Sequence, residues 1–109
     1  MLQRSKLNFW KPDNQMAVMP PINTAPPMVV GSPILGINLS VNTGTWALPP
    51  SSFDIQWYVN GTPAVGKTGF LFGLLTVLNL GQTISAKITA NNSVGSTEIF
   101  SNSVNILAA

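Results

Sequence analysis

The sequence predicts an all-β fold, a sandwich of about seven antiparallel strands preceded by an extended N-terminal arm. Three observations predict it. Apolar and polar residues alternate with a period of two in several short segments. Turn residues punctuate the chain about every ten positions. No apolar repeat of helical period competes with that pattern. The chain has 109 residues, which is room for one domain and not for two. A sandwich of this size needs about 90 to 100 residues, so residues 1–21 are read as the arm and 22–109 as the domain.

The arm differs from the rest in composition. Arg4, Lys6 and Lys11 stand there with Asp13 as the one acid, so it carries a net charge of about +2. Pro12, Pro20 and Pro21 disfavour a helix. Phe9 and Trp10 beside Lys11 form an aromatic pair that is costly to leave in water and suits a partner's pocket. A frayed terminus is the alternative that most tails adopt.

Each strand of the domain has its own signal. Met28-Val29-Val30 is the expected first strand, with Gly31-Ser32-Pro33 as its turn. Ile37, Leu39 and Val41 alternate with Asn38, Ser40 and Asn42, and the apolar set is expected to face the core. Phe53, Ile55, Trp57 and Val59 share one parity of the next strand, and Trp57 is the large residue expected between the sheets. Asn60-Gly61 suits a two-residue turn with positive φ, and Thr62 to Gly66 begins a short edge strand. The run from Phe70 to Leu80 is apolar on both parities. Phe72 and Leu74 are assigned to the core, leaving Leu71, Leu75, Leu78 and Leu80 for an outer, adhesive surface. Ile84, Ala86, Ile88 and Ala90 alternate with Ser85, Lys87, Thr89 and Asn91 in the cleanest strand of the chain. Asn92 to Gly95 makes a hairpin. The last strand spans about Thr97 to Leu107. Val104 and Ile106 point inward there, while Ile99 has the opposite parity and calls for a bulge near Ser101.

Only 7% of residues are charged, against about 25% in ordinary soluble domains. Two readings fit that poverty. Part of the surface is covered by something else, or the surface is simply made of Ser, Thr and Asn. The sequence pI of 9.4 rests on a formal net charge of only +2, so nucleic-acid binding is not expected. No run reaches the ~18 apolar residues of a membrane helix. Met1, taken as the true start, begins no secretory signal, which implies synthesis in a host cytoplasm.

The same composition argues against an enzyme. Cysteine and histidine are absent, which removes nucleophilic dyads and the usual metal sites, so no cofactor is expected. Asp54 and Glu98 are the acids of the domain, and solvated surface charge is their expected role rather than acid–base work. Glycan binding on exposed Trp46 or Tyr58, with loops near 49–52 and 91–96, is a further reading.

Taken together, Gly44-Thr45-Trp46, Pro49, Gln56-Trp57, Asn60-Gly61, Gly81, Ile84 and Ala90 through Gly95 resemble a bacterial and phage immunoglobulin-like repeat. The resemblance covers about residues 26–106 and implies an immunoglobulin-like β-sandwich. It departs from the family pattern at Asn79, where an Asp is common, and in standing alone rather than in series. A single, unexported, cysteine-free copy is similar to decoration or cement proteins of tailed-phage capsids. The expected function is therefore that of a virion structural protein on the capsid surface. Its partner would be the major capsid protein or another virion protein, or a further copy of itself. The expected contacts are Leu71, Leu75, Leu78 and Leu80 with the arm residues Arg4, Lys6, Phe9, Trp10 and Lys11, and Trp57, Ile84 and Ile88 are the expected core. A tail or baseplate component, or an adhesion module for host glycans, is the alternative.

Overall fold

The computed structural model describes residues 19–109. Its strands are β1 (Ile22–Ala25), β2 (Met28–Val30), β3 (Asn38–Asn42), β4 (Thr45–Ala47), β5 (Ser52–Val59), β6 (Thr62–Pro63), β7 (Leu71–Leu74), β8 (Thr83–Asn91), β9 (Ser96–Phe100) and β10 (Val104–Asn105). Three antiparallel strands make one sheet in the order β2-β3-β7. The larger sheet runs β6-β5-β8, with β9 and then β10 paired along the far edge of β8. The two antiparallel sheets make an all-β sandwich.

The core lies between the two sheets. Trp57 on β5 and Ile84 and Ile88 on β8 have no exposed surface, and neither has Leu39 of the opposing β3. Where many extracellular sandwiches place a disulfide between sheets, this one buries Leu39, Val41, Ala86 and Ile88 in a shared apolar core. Trp57 meets Phe72 edge-on with ring centroids 5.4 Å apart. Its indole N–H donates to the Gly69 carbonyl at 2.8 Å, so burial of the ring leaves no orphaned donor.

The turn residues have identifiable work. Asn60 and Gly61 both have positive φ, 52° and 82°, the conformation that matches the twist of a two-residue hairpin. Asn60 Oδ1 also accepts the Thr83 N–H at 2.9 Å. In the β8–β9 hairpin, Asn92 Oδ1 accepts the N–H groups of Val94 and Gly95 at 2.8 and 3.1 Å. Gln56 reaches off β5 to donate to the Ala64 carbonyl at 2.8 Å, which holds the loop after β6 against the sheet.

Along its other side the sandwich is closed by the connection after β9. Phe100 pairs with Lys87 and Val104 with Ile84, so the β9–β10 side carries one residue more than β8 over that stretch. This is the bulge that the parity of Ile99 requires. It lets Ile99, Val104 and Ile106 all pack on the core. Asn102, set outward by the bulge, accepts the Val29 N–H of β2 at 2.8 Å. Ile34 and Leu107 then form a parallel bridge between the sheets' two outermost segments.

Several expectations need correction. Leu74, assigned to the core, is exposed, and Leu75, assigned to the outer surface, is buried. The cause is a bulge. Ser40 pairs with Leu71 but Leu39 with Gly73, so Phe72 and Gly73 together oppose Leu39. Gly73 supplies the unusual backbone, with φ of 117°. The extra residue shifts the alternation by one, so Leu74 turns out and Leu75 turns in. Ile37 is also half-exposed, because it lies in the turn before β3 and not in the strand. Finally, β1 is a strand where none was expected. It pairs with β4, twenty residues later in the chain, to form a two-stranded ribbon. The last three residues assigned to the arm lie on the body. Pro21 is fully buried, and the Met19 carbonyl accepts from Asn92 Nδ2 at 2.9 Å.

Candidate docking surface

Between Lys67 and Lys87 the sequence carries no charged residue. This stretch holds β7, the turn that follows it, and the first half of β8. A short 3-10 turn spans Val77–Asn79. Thr76 begins it: its hydroxyl accepts the Leu78 N–H at 3.3 Å, while its own N–H donates to Asn79 Oδ1 at 2.9 Å. Asn79 Nδ2 donates onward to Gln82 at 3.0 Å. Reciprocal caps of this kind leave few free backbone groups. They hold Val77 and Leu78 outward on a defined turn, at 73% and 83% exposure.

Of the four leucines expected to form the surface, three are exposed. Leu71 and Leu74 point out from β7, Leu78 sits on the turn and Leu80 follows it. Leu75 is the correction: at 1% exposure it belongs to the core beside Phe72. Leu74 takes its place on the outer surface, joined by Val77. Gly73 was the signal for this exchange, because an isolated glycine inside a strand pattern marks a bulge. Arg4, Lys6, Phe9, Trp10 and Lys11 lie outside the described residues.

The outer faces of the two sheets differ in chemistry. On the larger sheet, Asp54, Thr89 and Glu98 form one row across β5, β8 and β9, and Gln56, Lys87 and Phe100 form the next. Lys87 Nζ lies 3.7 Å from the Glu98 carboxylate and 5.9 Å from the centre of the Tyr58 ring. Tyr58 in turn meets Phe100 edge-on at 5.0 Å. Asp54 accepts from Asn91 Nδ2 at 2.9 Å. These acids are ordinary surface groups with polar partners. Trp46 is half-buried against Phe53, with ring centroids 6.1 Å apart, and its indole N–H is taken up by the Thr43 carbonyl.

The outer face of the three-stranded sheet carries no charge. Its residues are Met28 and Val30 on β2, Asn38, Ser40 and Asn42 on β3, and Leu71 and Leu74 on β7. Lys67, the one remaining charged residue of the described body, sits at the edge. Its ammonium donates to the Phe72 carbonyl at 2.8 Å, occupying an acceptor on the free edge of β7. A charge on an edge strand opposes pairing with a further strand. Docking here would therefore use side chains rather than added backbone pairing. Among the described residues no cluster of three or more His, Cys, Asp or Glu side chains is placed to hold a metal.

The chain matches no family model, no curated protein and no solved structure.

Proposed function

We propose that this chain is a non-enzymatic structural protein of a virion, a decoration or cement subunit that docks on the major capsid protein. The resemblance to phage immunoglobulin-like repeats supports the virion. One structural observation supports the docking: Val77, Leu78 and Leu80 stand exposed on a stretch with no charge, around a capped turn at the end of the sandwich.

The physics of attachment follows from magnitudes. Fully burying one such side chain contributes about 1.5–3 kcal/mol. A handful of them cannot hold a subunit tightly once the entropy of association is charged against the gain. A second attachment supplied by residues 1–18 would make the second contact intramolecular and raise avidity without a larger interface. The sandwich is the rigid body that keeps the two attachments at a fixed separation.

Quantitative mass spectrometry of particles purified from cells carrying the gene tests the reading. Copies in proportion to the major capsid protein are expected. Absence from particles sinks the proposal, and a few copies that follow tail proteins replace the shell with a tail or baseplate. Deleting residues 1–18 is expected to leave the sandwich folded and weaken attachment to shells, while unchanged affinity removes the arm from the mechanism.

A further inference from the structure

The uncharged outer face of β2-β3-β7 is a different surface from the capped turn, and its chemistry points to a specific occupant. We infer that this face pairs with the same face of a second copy of the chain, in a weak dimer with two-fold symmetry.

Residues 19–109 contain four charged side chains: Asp54, Lys67, Lys87 and Glu98. Three of them lie on the outer face of the larger sheet and the fourth is tied to the edge of β7. None lies on the outer face of the smaller sheet. That segregation matters for self-pairing, because a two-fold interface brings the same patch of both copies together, and groups near the axis meet their own equivalents. A charge near the centre of the face would meet a like charge, which costs several-fold to many-fold in affinity.

The face is also self-complementary in hydrogen bonding. Val30, Ser40 and Leu71 form one row across the three strands, and Met28 stands opposite Asn42. Apolar side chains on the outer strands therefore flank a polar strip on the middle one. Amides and hydroxyls both donate and accept, so Asn38, Ser40 and Asn42 can pair with the same strip of a second copy. The flanking Met28, Val30, Leu71 and Leu74 would close over it.

Size sets the strength. Strands stand about 4.8 Å apart and rise about 3.3 Å per residue, so strands of 3, 5 and 4 residues make a small platform. This lies at the low end of specific interfaces. The dimer is accordingly expected in the high-micromolar range in free solution and to form where copies are crowded.

Sedimentation of the purified full chain up to about 1 mM tests this, since weak dimers populate there. A concentration-dependent dimer is expected. Ser40→Asp, at the centre of the face, should weaken it about 100-fold, as expected for like charges brought together. Leu71→Ser should weaken it without adding charge, and circular dichroism would confirm that both variants fold. Ser96→Lys, on the other sheet, should leave the dimer intact. Mixing Ser40→Asp with Ser40→Lys should restore a mixed dimer.

A wild-type monomer at 1 mM overturns the inference. A dimer indifferent to Ser40→Asp and Leu71→Ser overturns it too, as does a monomer that dimerises only after residues 1–18 are removed, because the face is then covered by the chain's own N-terminus. The inference stands apart from the virion reading. A dimer missing from particles sinks that reading alone, and a monomer present in particles sinks this one alone.

Discussion

Ser101 satisfies both backbone groups of Ala86. Its N–H donates to the Ala86 carbonyl at 2.7 Å, and its Oγ accepts the Ala86 N–H at 2.9 Å. The second bond replaces a backbone carbonyl that the bulge has moved away. Its hydroxyl hydrogen goes to the Asn102 carbonyl at 2.9 Å, so a single serine closes the ladder where β9 hands over to β10.

Ser101→Ala removes that acceptor and leaves the Ala86 N–H buried without a partner. The expected cost is about 1–3 kcal/mol. Ser101→Thr keeps the hydroxyl and should cost less. Urea denaturation of the three proteins checks the order, and a neutral Ser101→Ala would show that the hydroxyl does not hold the bulge.

The contrast between buried Leu75 and exposed Leu78 gives a paired test. Leu75→Ala opens a cavity beside Phe72 and should destabilise by about 2–5 kcal/mol. Leu78→Ala alters an exposed tip and should stay within about 0.5 kcal/mol. In a shell-binding assay the order reverses, with Leu78→Ala the more harmful of the two once folding is accounted for. Equal effects on stability would contradict the bulge at Phe72–Gly73.

Gly44 ties the β1–β4 ribbon to the body. Its φ is 84°, and a Cβ added there would lie 2.2 Å from the Ala25 carbonyl oxygen. Gly44→Ala therefore faces both a disfavoured backbone and a collision with backbone that cannot give way. A loss of about 2 kcal/mol or more is expected, at the upper range of ordinary single substitutions. Gly81→Ala, with a similar φ of 80° but open space around it, should cost about 1 kcal/mol. Thermal unfolding of both variants separates the collision from the φ effect.

Trp57 fills the space between the sheets and donates to Gly69. Trp57→Ala should cost about 3–5 kcal/mol. Trp57→Phe keeps most of the ring contact with Phe72 and gives up the hydrogen bond, so its cost should fall well below that of Trp57→Ala. If the two substitutions are equally damaging under chemical denaturation, the bond to Gly69 and not ring packing carries the effect.

Much of the architecture was legible because a half-buried strand writes its two faces directly into sequence. Ile84, Ala86, Ile88 and Ala90 alternate without interruption along β8, and the structure buries all four. The bulge at Ser101 was legible for the same reason, because Ile99 and Val104 could face the core only with one extra residue between them. The run from Phe70 to Leu80 was not legible in this way. Where both parities are apolar, alternation carries no information, and the phase is set by the partner strand. The ribbon of β1 with β4 was equally hidden, since neither short segment alternates and their pairing joins distant parts of the chain.

The amino-acid sequence by itself determined that the body is an all-β sandwich, because local alternation and turn chemistry act over a few residues and need no knowledge of neighbours. It also determined the scarcity of charge. Only the tertiary structure decided which leucines are core and which are surface, because that depends on the register of β7 against β3. It alone collected Asp54, Lys87 and Glu98 on one outer face and left the other uncharged, because strands far apart in the chain become neighbours only when the sheets form.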